Sequence, residues 1–269
     1  MQEKNKKIAY IFFGQVKNYN ARQHQTFLDN VRHPLSDFKL DYYLVTTNAQ
    51  SFNNPRQRGL EGTETLINPS SINNYFDFSD ILFDGLENIS SDINKNIASH
   101  AKLLVDNFGG SWGKFSLPST VNSLKQLYSL EYFSKNFYTD KHYDFYILSR
   151  SDIFHTHYLN TKPIIRCEQN KNDIFVPSFG WWKSGCNDRY AIFNSISGLK
   201  DYCSRYSFIM NNPEWYHAES YLLSHLSSFN YRVKRIPNFR FRLVRANGLI
   251  TNESGYKIDY KLTNDFPSS

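Results

Sequence analysis

Ile8-Ala9-Tyr10-Ile11-Phe12-Phe13-Gly14 is the stretch on which the fold turns. Apolar residues run without polar alternation and stop at a glycine, the pattern of a strand buried on both faces of a parallel sheet. A helix-compatible segment from about Ala21 to Val31 follows, then Leu40-Asp41-Tyr42-Tyr43-Leu44-Val45-Thr46, a second strand ending in polar Thr47-Asn48. Together they predict a β-α-β opening. From Ala49 to about Ser79 the chain is rich in Asn, Pro, Ser and Gly, which reads as a long surface excursion with short interruptions. Beyond the glycine-punctuated Phe108-Gly109-Gly110-Ser111-Trp112-Gly113, Ser119 or Thr120 is expected to cap a helix running to about Tyr138. Val121, Leu124, Leu127, Tyr128, Phe133 and Phe137 fit one broad face of it. Tyr143-Asp144-Phe145-Tyr146-Ile147-Leu148 is the next strand, broken by Ser149-Arg150-Ser151-Asp152. That polar cluster sits at a strand's C-terminal end, the edge where open α/β sheets bind ligands.

The second half predicts short strands near Ile174–Val176, Tyr190–Phe193 and Tyr231–Ile236, and helices near Ile196–Phe208 and Glu214–Ser228. The fold class is α/β, with a Rossmann-like, mixed but mostly parallel central sheet flanked by helices. No linker or internal repeat is evident, so residues 1–269 are expected to form a single domain. Its first half, 1–155, is nucleotide-binding-like, and 156–269 completes the cleft.

Composition narrows the function classes. The 40% hydrophobic and 21% charged content is ordinary for a globular protein, which argues against a disordered chain or a polycation. The net charge of +6 is modest for a nucleic-acid binder, and the chain shows no recognition motif for one. Aromatic residues reach 17%, so much of the core must be rings; an AT-rich genome accounts for such usage, and ring-lined binding surfaces are the other reading. Cys167, Cys186 and Cys203 form no C-x-x-C pair and have no close His partner, which disfavours a disulfide framework or zinc site. Residues 8–13 are too short a run for a signal h-region or a membrane span, and a cytoplasmic location is expected.

Side chains at i and i+2 on an extended segment point the same way, so Arg150 and Asp152 can address one ligand. A carboxylate there holds Mg²⁺ or Mn²⁺ against a diphosphate, and a guanidinium binds phosphate directly. The structural alternative is a mutual surface ion pair or a turn aspartate. Trp181-Trp182, between Gly180 and Gly185, suits a sugar- or base-stacking platform, or a pair of buried hinge rings. Asn187-Asp188-Arg189 puts an acid at a strand mouth, a candidate general base or an ordinary turn. His217 and Glu219 lie near a helix start, where Glu also complements the macrodipole. His155 and His157, at i and i+2, lack a third ligand and read as structural or auxiliary to Asp152.

From Ser220 to Asn252 there is no acid, yet the stretch carries Arg232, Lys234, Arg235, Arg240, Arg242 and Arg245, which alone account for the net charge. Alternation of Arg240 and Arg242 suggests a localised anion site for a phosphate or an anionic membrane surface. The sequence contains no P-loop, no G-x-G-x-x-G, no G-x-S-x-G and no H-E-x-x-H. P-loop hydrolysis, ordinary dinucleotide oxidoreduction, serine-esterase chemistry and zincin proteolysis therefore drop out as leading ideas.

Several of these pieces, in this order, resemble the GT-A-type nucleotide-sugar-dependent glycosyltransferases of bacterial capsule and lipopolysaccharide (O-antigen) clusters. Phe13-Gly14-Gln15-Val16-Lys17 is similar to their opening "fGqxR" segment. Ser123-Leu124-Lys125-Gln126-Leu127-Tyr128-Ser129-Leu130 and Tyr143 to Asp152 resemble their "sqlySl" helix and "yDxvixxRxD" strand. Asn187-Asp188-Arg189-Tyr190-Ala191, Ala218-Glu219-Ser220-Tyr221-Leu222-Leu223 and Leu243-Val244-Arg245-Ala246-Asn247-Gly248 look like "nDrfa", "sExxL" and "lvRxnG". The resemblance spans most of the chain and is carried by order and spacing.

It implies a GT-A-like fold and transfer of a sugar from a nucleoside diphosphate donor, a UDP-sugar as first choice, to a hydroxyl of a growing surface glycan. Gly14, Gln15 and Lys17 would lie by the nucleotide. Arg150-Ser151-Asp152 would stand for Asp-x-Asp, with Asp152 the retained ligand of Mn²⁺ or Mg²⁺ and Arg150 in place of the first carboxylate, which leaves metal dependence open. Arg245, with Arg240 or Arg242, would neutralise the leaving diphosphate. Asp188 is the first choice for acceptor deprotonation and Glu219 the second, while Trp181, Trp182, Arg189 and His217 would line the acceptor side. A glycan or lipid-linked glycan acceptor and peripheral contact with an anionic membrane would complete the set of partners. A non-catalytic carbohydrate-binding protein and, behind it, a nucleic-acid-binding domain are the alternative classes.

Overall fold

A computed structural model describes residues 6–53, 64–84, 91–109, 116–162, 170–181, 184–213, 217–252 and 257–264. Strand β1 (Lys7–Phe13) leads through α1 (Ala21–Phe27) and a π-helical turn at Leu28–Arg32 to β2 (Lys39–Thr46). β3 (Ser51–Asn53) and β4 (Glu64–Leu66) pair antiparallel, a 3-10 turn spans Pro69–Asn74, and β5 (Phe78–Phe83) follows. Helices α2 (Ser91–Phe108) and α3 (Ser116–Asn136) precede β6 (Phe145–Arg150) and the short β7 (Ile153–His155). Then come β8 (Asp173–Pro177), β9 (Tyr190–Phe193), α4 (Ile196–Cys203), α5 (Arg205–Asn211), α6 (Ala218–Ser228), β10 (Arg232–Ile236), β11 (Phe241–Leu243) and α7 (Tyr260–Asn264).

Seven strands form one sheet in the order β10-β8-β9-β6-β1-β2-β5. Every neighbouring pair is parallel except those made by β9, which runs against both β6 and β8. This is the mixed, mostly parallel sheet flanked by helices that the sequence predicts. Strands from both sides of residue 155 share it. β1 lies inside it, and its pleat divides the apolar run between two cores. Ile8, Tyr10 and Phe12 face one of them, with Phe27 of α1, while Ala9, Ile11 and Phe13 face the other, with Leu130, Phe133 and Phe137. Burying each large side chain is worth roughly 1.5–3 kcal/mol, so a polar residue anywhere in the run would open one core or the other. The aromatic excess goes largely into these cores. Tyr10, Phe12, Phe27 and Phe76 meet with ring centroids 4.8 to 5.7 Å apart, the tilted and edge-on contacts that aromatic pairs prefer.

Several boundaries differ from the sequence expectation. α3 starts at Ser116, so Ser119 and Thr120 are buried within it rather than capping it, and Pro118 sits in the first turn, where a missing N–H costs nothing. Its apolar positions also serve two partners. Leu124 and Leu127 pack with Ile97, Ala101 and Leu104 of α2, while Phe133 and Phe137 pack on the sheet. The helix expected over 196–208 is two helices that break at Ser204, whose hydroxyl donates to the Asp201 carbonyl at 2.9 Å. The loop expected to run to about Ser79 gives way to the edge strand β5 at Phe78. Among the described residues no helix is long and apolar enough to cross a membrane.

Candidate active site

Parallel strands deliver their C-terminal ends to one edge of the sheet. Phe13 lies opposite both Val45 of β2 and Arg150 of β6. β9 runs the other way and so begins at that same edge, with Tyr190 opposite Ser149. The segments after β1, after β6 and before β9 therefore converge. Backbone bonds fix them: the Arg150 N–H donates to the Arg189 carbonyl at 3.0 Å and the Ser151 N–H to the Phe13 carbonyl at 2.9 Å. The Ser151 hydroxyl donates to the Gln15 carbonyl at 3.0 Å. Gly14 turns the chain off β1 at a φ of +90°, a conformation that only glycine adopts without strain. A fourth segment arrives through β11, which pairs antiparallel with β7; the Val244 N–H donates to the Asp152 carbonyl at 2.8 Å and sets Arg245 next in line.

At the centre lies a three-residue ion cluster. Arg150 grips Asp152 with two parallel bonds, Nε to Oδ1 and one terminal nitrogen to Oδ2, each 2.7 Å. Lys17 Nζ donates to Oδ2 at 2.7 Å. Asp152 is 2% exposed, Lys17 8% and Arg150 20%. Burial alone would push the Asp152 carboxyl up; Arg150 and then Lys17 more than offset it and hold the group well below the usual carboxylate range. Burial brings the Lys17 ammonium down to about 8, with Asp152 opposing the shift and Arg150 and Arg245 adding to it. That effect of Arg245 places its charge in the same neighbourhood. Burial also works against the Arg150 cation, but Asp152 and, more weakly, Asp188 raise it overall. Of the two structural readings of Arg150 and Asp152, the mutual pair is what forms, as a buried pair shared with a lysine rather than a surface one.

Asp188 precedes β9 in a turn made by Asn187, whose side-chain oxygen accepts the Arg189 N–H at 2.9 Å and whose amide donates to the Phe179 carbonyl at 3.1 Å. Asp188 and Arg189 are half-buried. Behind them the Cys186 N–H donates to the Glu219 carbonyl at 3.0 Å. Gly185 lies so close to α6 that a Cβ there would fall 2.1 Å from backbone atoms of Glu219 and Ser220. This contact brings the start of α6 to the turn. There His217 Nδ1 and Glu219 Oε2 are 3.2 Å apart and both largely buried.

The remaining expected residues are more dispersed. Trp181 is held by its indole N–H on the Pro177 carbonyl at 2.7 Å, and the Arg235 guanidinium covers its ring at 4.2 Å. Trp182 and Cys167 fall outside the described residues. The basic segment does not converge as a whole. Arg232 pairs with Asp173 at 2.7 Å, Arg242 approaches Asp259 at 3.8 Å, and the Arg240 carbonyl accepts the Thr156 N–H. β10 lies at the sheet's far edge from β1, so its cations are spread along the surface, whereas Arg245 follows the Val244 bond to the Asp152 carbonyl and lies near Lys17. His155 and His157 diverge. His155 is packed among Phe27, Phe239 and Phe241 with its ring pushed down to about 3 by burial, while His157 is exposed. Sequence reasoning missed Gln126 of α3, whose Oε1 accepts from Arg150 at 3.3 Å, and Asp84, buried at the end of β5 on the same sheet edge. Gln126 lies in the Ser123–Leu130 stretch of α3, but nothing in its helical spacing singles it out.

The divalent cation implied by the sequence resemblance does not suit this donor set. Both Asp152 oxygens are already engaged by two cations, and among the described residues no group of three His, Cys, Asp or Glu side chains is arranged to hold a metal.

No family model and no curated protein matches the chain. Among solved structures it is similar to the galactosyltransferase LgtC in complex with donor and acceptor sugar analogues, at 10% identity and a TM-score of 0.37, over 82% of this chain and 70% of that one. It is also similar to mouse xyloside xylosyltransferase 1, at 9% identity and a TM-score of 0.36 over 85% and 84% of the two chains. A third is the glycosyltransferase GlyE of Streptococcus pneumoniae, at 10% identity and a TM-score of 0.38, where the match covers 85% of this chain and 45% of that one.

Proposed function

We propose that this chain is a GT-A-type glycosyltransferase that moves a sugar from a nucleoside diphosphate sugar, with UDP the first choice of nucleotide, onto a hydroxyl of a growing surface glycan. One observation carries the reading: Lys17, Arg150 with Asp152, Asp188 and Arg245 come from four separate segments and meet at the ligand-binding edge of an α/β sheet. Those segments are also the ones whose motifs resemble the transferases. Cleaving the anomeric C–O bond leaves negative charge on the departing diphosphate. Lys17, Arg150 and Arg245 stabilise that charge, and burial makes each contact stronger than it would be in water. Asp188, at the mouth of β9, takes the proton from the attacking hydroxyl. Arg189, His217 and Glu219 border the acceptor side, with Trp181 beyond them. A lipid-linked acceptor would bring a cytoplasmic enzyme into peripheral contact with anionic membrane.

The test is nucleotide release from UDP-, GDP-, dTDP- and CMP-sugars, assayed with and without Mn²⁺. One nucleotide class is expected to be released, and Asp188→Asn to slow the release. If no donor is turned over and no nucleotide raises the melting temperature, the proposal fails, because a ligand of the native state must stabilise it.

A further inference from the structure

We infer that this site binds its donor diphosphate without a divalent cation, Lys17 and Arg150 taking the cation's place and Asp152 holding the two side by side. The identity of the anion rests on the glycosyl-transfer reading.

A hard dication takes oxygen ligands at about 2.0–2.6 Å and needs several of them. To reach Asp152 it would have to displace Lys17 and both arms of Arg150, which sit at 2.7 Å and already neutralise the carboxylate. It would then stand beside two like charges. The same geometry suits an anion. A guanidinium has five N–H bonds in a planar fork. Two of Arg150's go to Asp152 and one to Gln126, which leaves two without a partner among the described residues. Arg150 is also the most exposed member of the cluster. Lys17, Arg150 and Arg245 supply three positive charges against the two negative charges of Asp152 and Asp188, so the site keeps a net positive charge to meet a diphosphate ester. Asp152 is then a positioning residue, whose task is to keep two repelling cations within reach of one ligand.

Titration calorimetry of the full chain with UDP, GDP, CDP and dTDP, each in EDTA and in Mn²⁺, tests this without any variant. One diphosphate is expected to bind with affinities agreeing to within about two-fold in the two conditions. Tightening by about ten-fold or more on adding Mn²⁺ overturns the inference and leaves the glycosyl-transfer reading intact. Binding in neither condition overturns both. Arg150→Asp, which writes an Asp-x-Asp into the strand end, is expected to abolish binding in EDTA, whereas Arg150→Lys keeps a cation and retains part of it. Unchanged EDTA binding by a folded Arg150→Asp protein also overturns the inference.

Discussion

Replacing Asp152 with asparagine removes one charge and almost no volume. Lys17 and Arg150 are then left facing each other, with Lys17 only 8% exposed. Removing one partner of a buried ionic cluster typically costs about 3–5 kcal/mol, because the other charges stay buried and uncompensated. Lys17 itself supplies a ceiling on its share. It can escape by releasing its proton, which at neutral pH costs about 4.6 kcal/mol for a lysine whose free value is ~10.4 and at about pH 9 costs about 2 kcal/mol. In the native protein burial already brings Lys17 down to about 8. Without Asp152 it falls further, so the unfolded state holds the extra proton across a wider window, and stability climbs with pH from below 8 to the free value. The variant should therefore lose about 3–5 kcal/mol at neutral pH and roughly 1 kcal/mol less by about pH 9. Urea unfolding of both proteins at the two pH values measures this. A loss below about 1 kcal/mol at neutral pH would refute the buried cluster, and a deficit that does not narrow by pH 9 would show that Lys17 is not the stranded charge.

Gly185→Ala drives a Cβ to 2.1 Å from the α6 backbone and should cost at least about 3 kcal/mol. Gly14→Ala meets nothing within 4 Å and bears only its positive φ, about 1–2 kcal/mol; denaturant midpoints in the reverse order would contradict the packing described. Asp188→Asn should cut donor turnover by about 10²–10⁴-fold while leaving the melting temperature nearly unchanged, and a smaller kinetic loss would move the base elsewhere. His155→Phe should flatten the acid limb of the stability curve. The native His155 is held down to about 3, so the unfolded chain takes up a proton first as pH falls through ~6.5, at up to about 1.4 kcal/mol per pH unit. Equal acid slopes in the two proteins would exclude His155 as the source.

The strands β1, β2, β6 and β9 were legible because each is an unbroken or nearly unbroken apolar run, and such runs are required wherever both sheet faces are covered. β5 was not, since Ser79 and Asp80 are exposed on a sheet edge and break the run. The helix over 91–108 hides its apolar residues Ile97, Ala101 and Leu104 among Asn, Lys and Asp. β7 and β11, three residues each, are too short for any periodicity, yet they bring Arg245 to the site. The site itself was half readable. Arg150 and Asp152 do meet, but the i, i+2 rule treats them as neighbours aimed at a ligand, and here they are aimed at each other. The third member, Lys17, could be linked to Asp152 only by motif resemblance, because nothing local relates residue 17 to residue 152.

That separation has a kinetic consequence. Lys17 reaches Asp152 across 135 residues, and the neighbouring Asn18 donates to the Ala246 carbonyl across 228. Contacts this distant along the chain slow folding, since their loops must close before the contacts form. The β-α-β unit can assemble from local pairs, but the cluster at the sheet edge is complete only once the segments around residues 17, 152 and 246 have docked. In a refolding experiment, nucleotide affinity should return after the far-ultraviolet signal of helices and strands, making ligand competence a reporter of completed folding rather than of sheet formation.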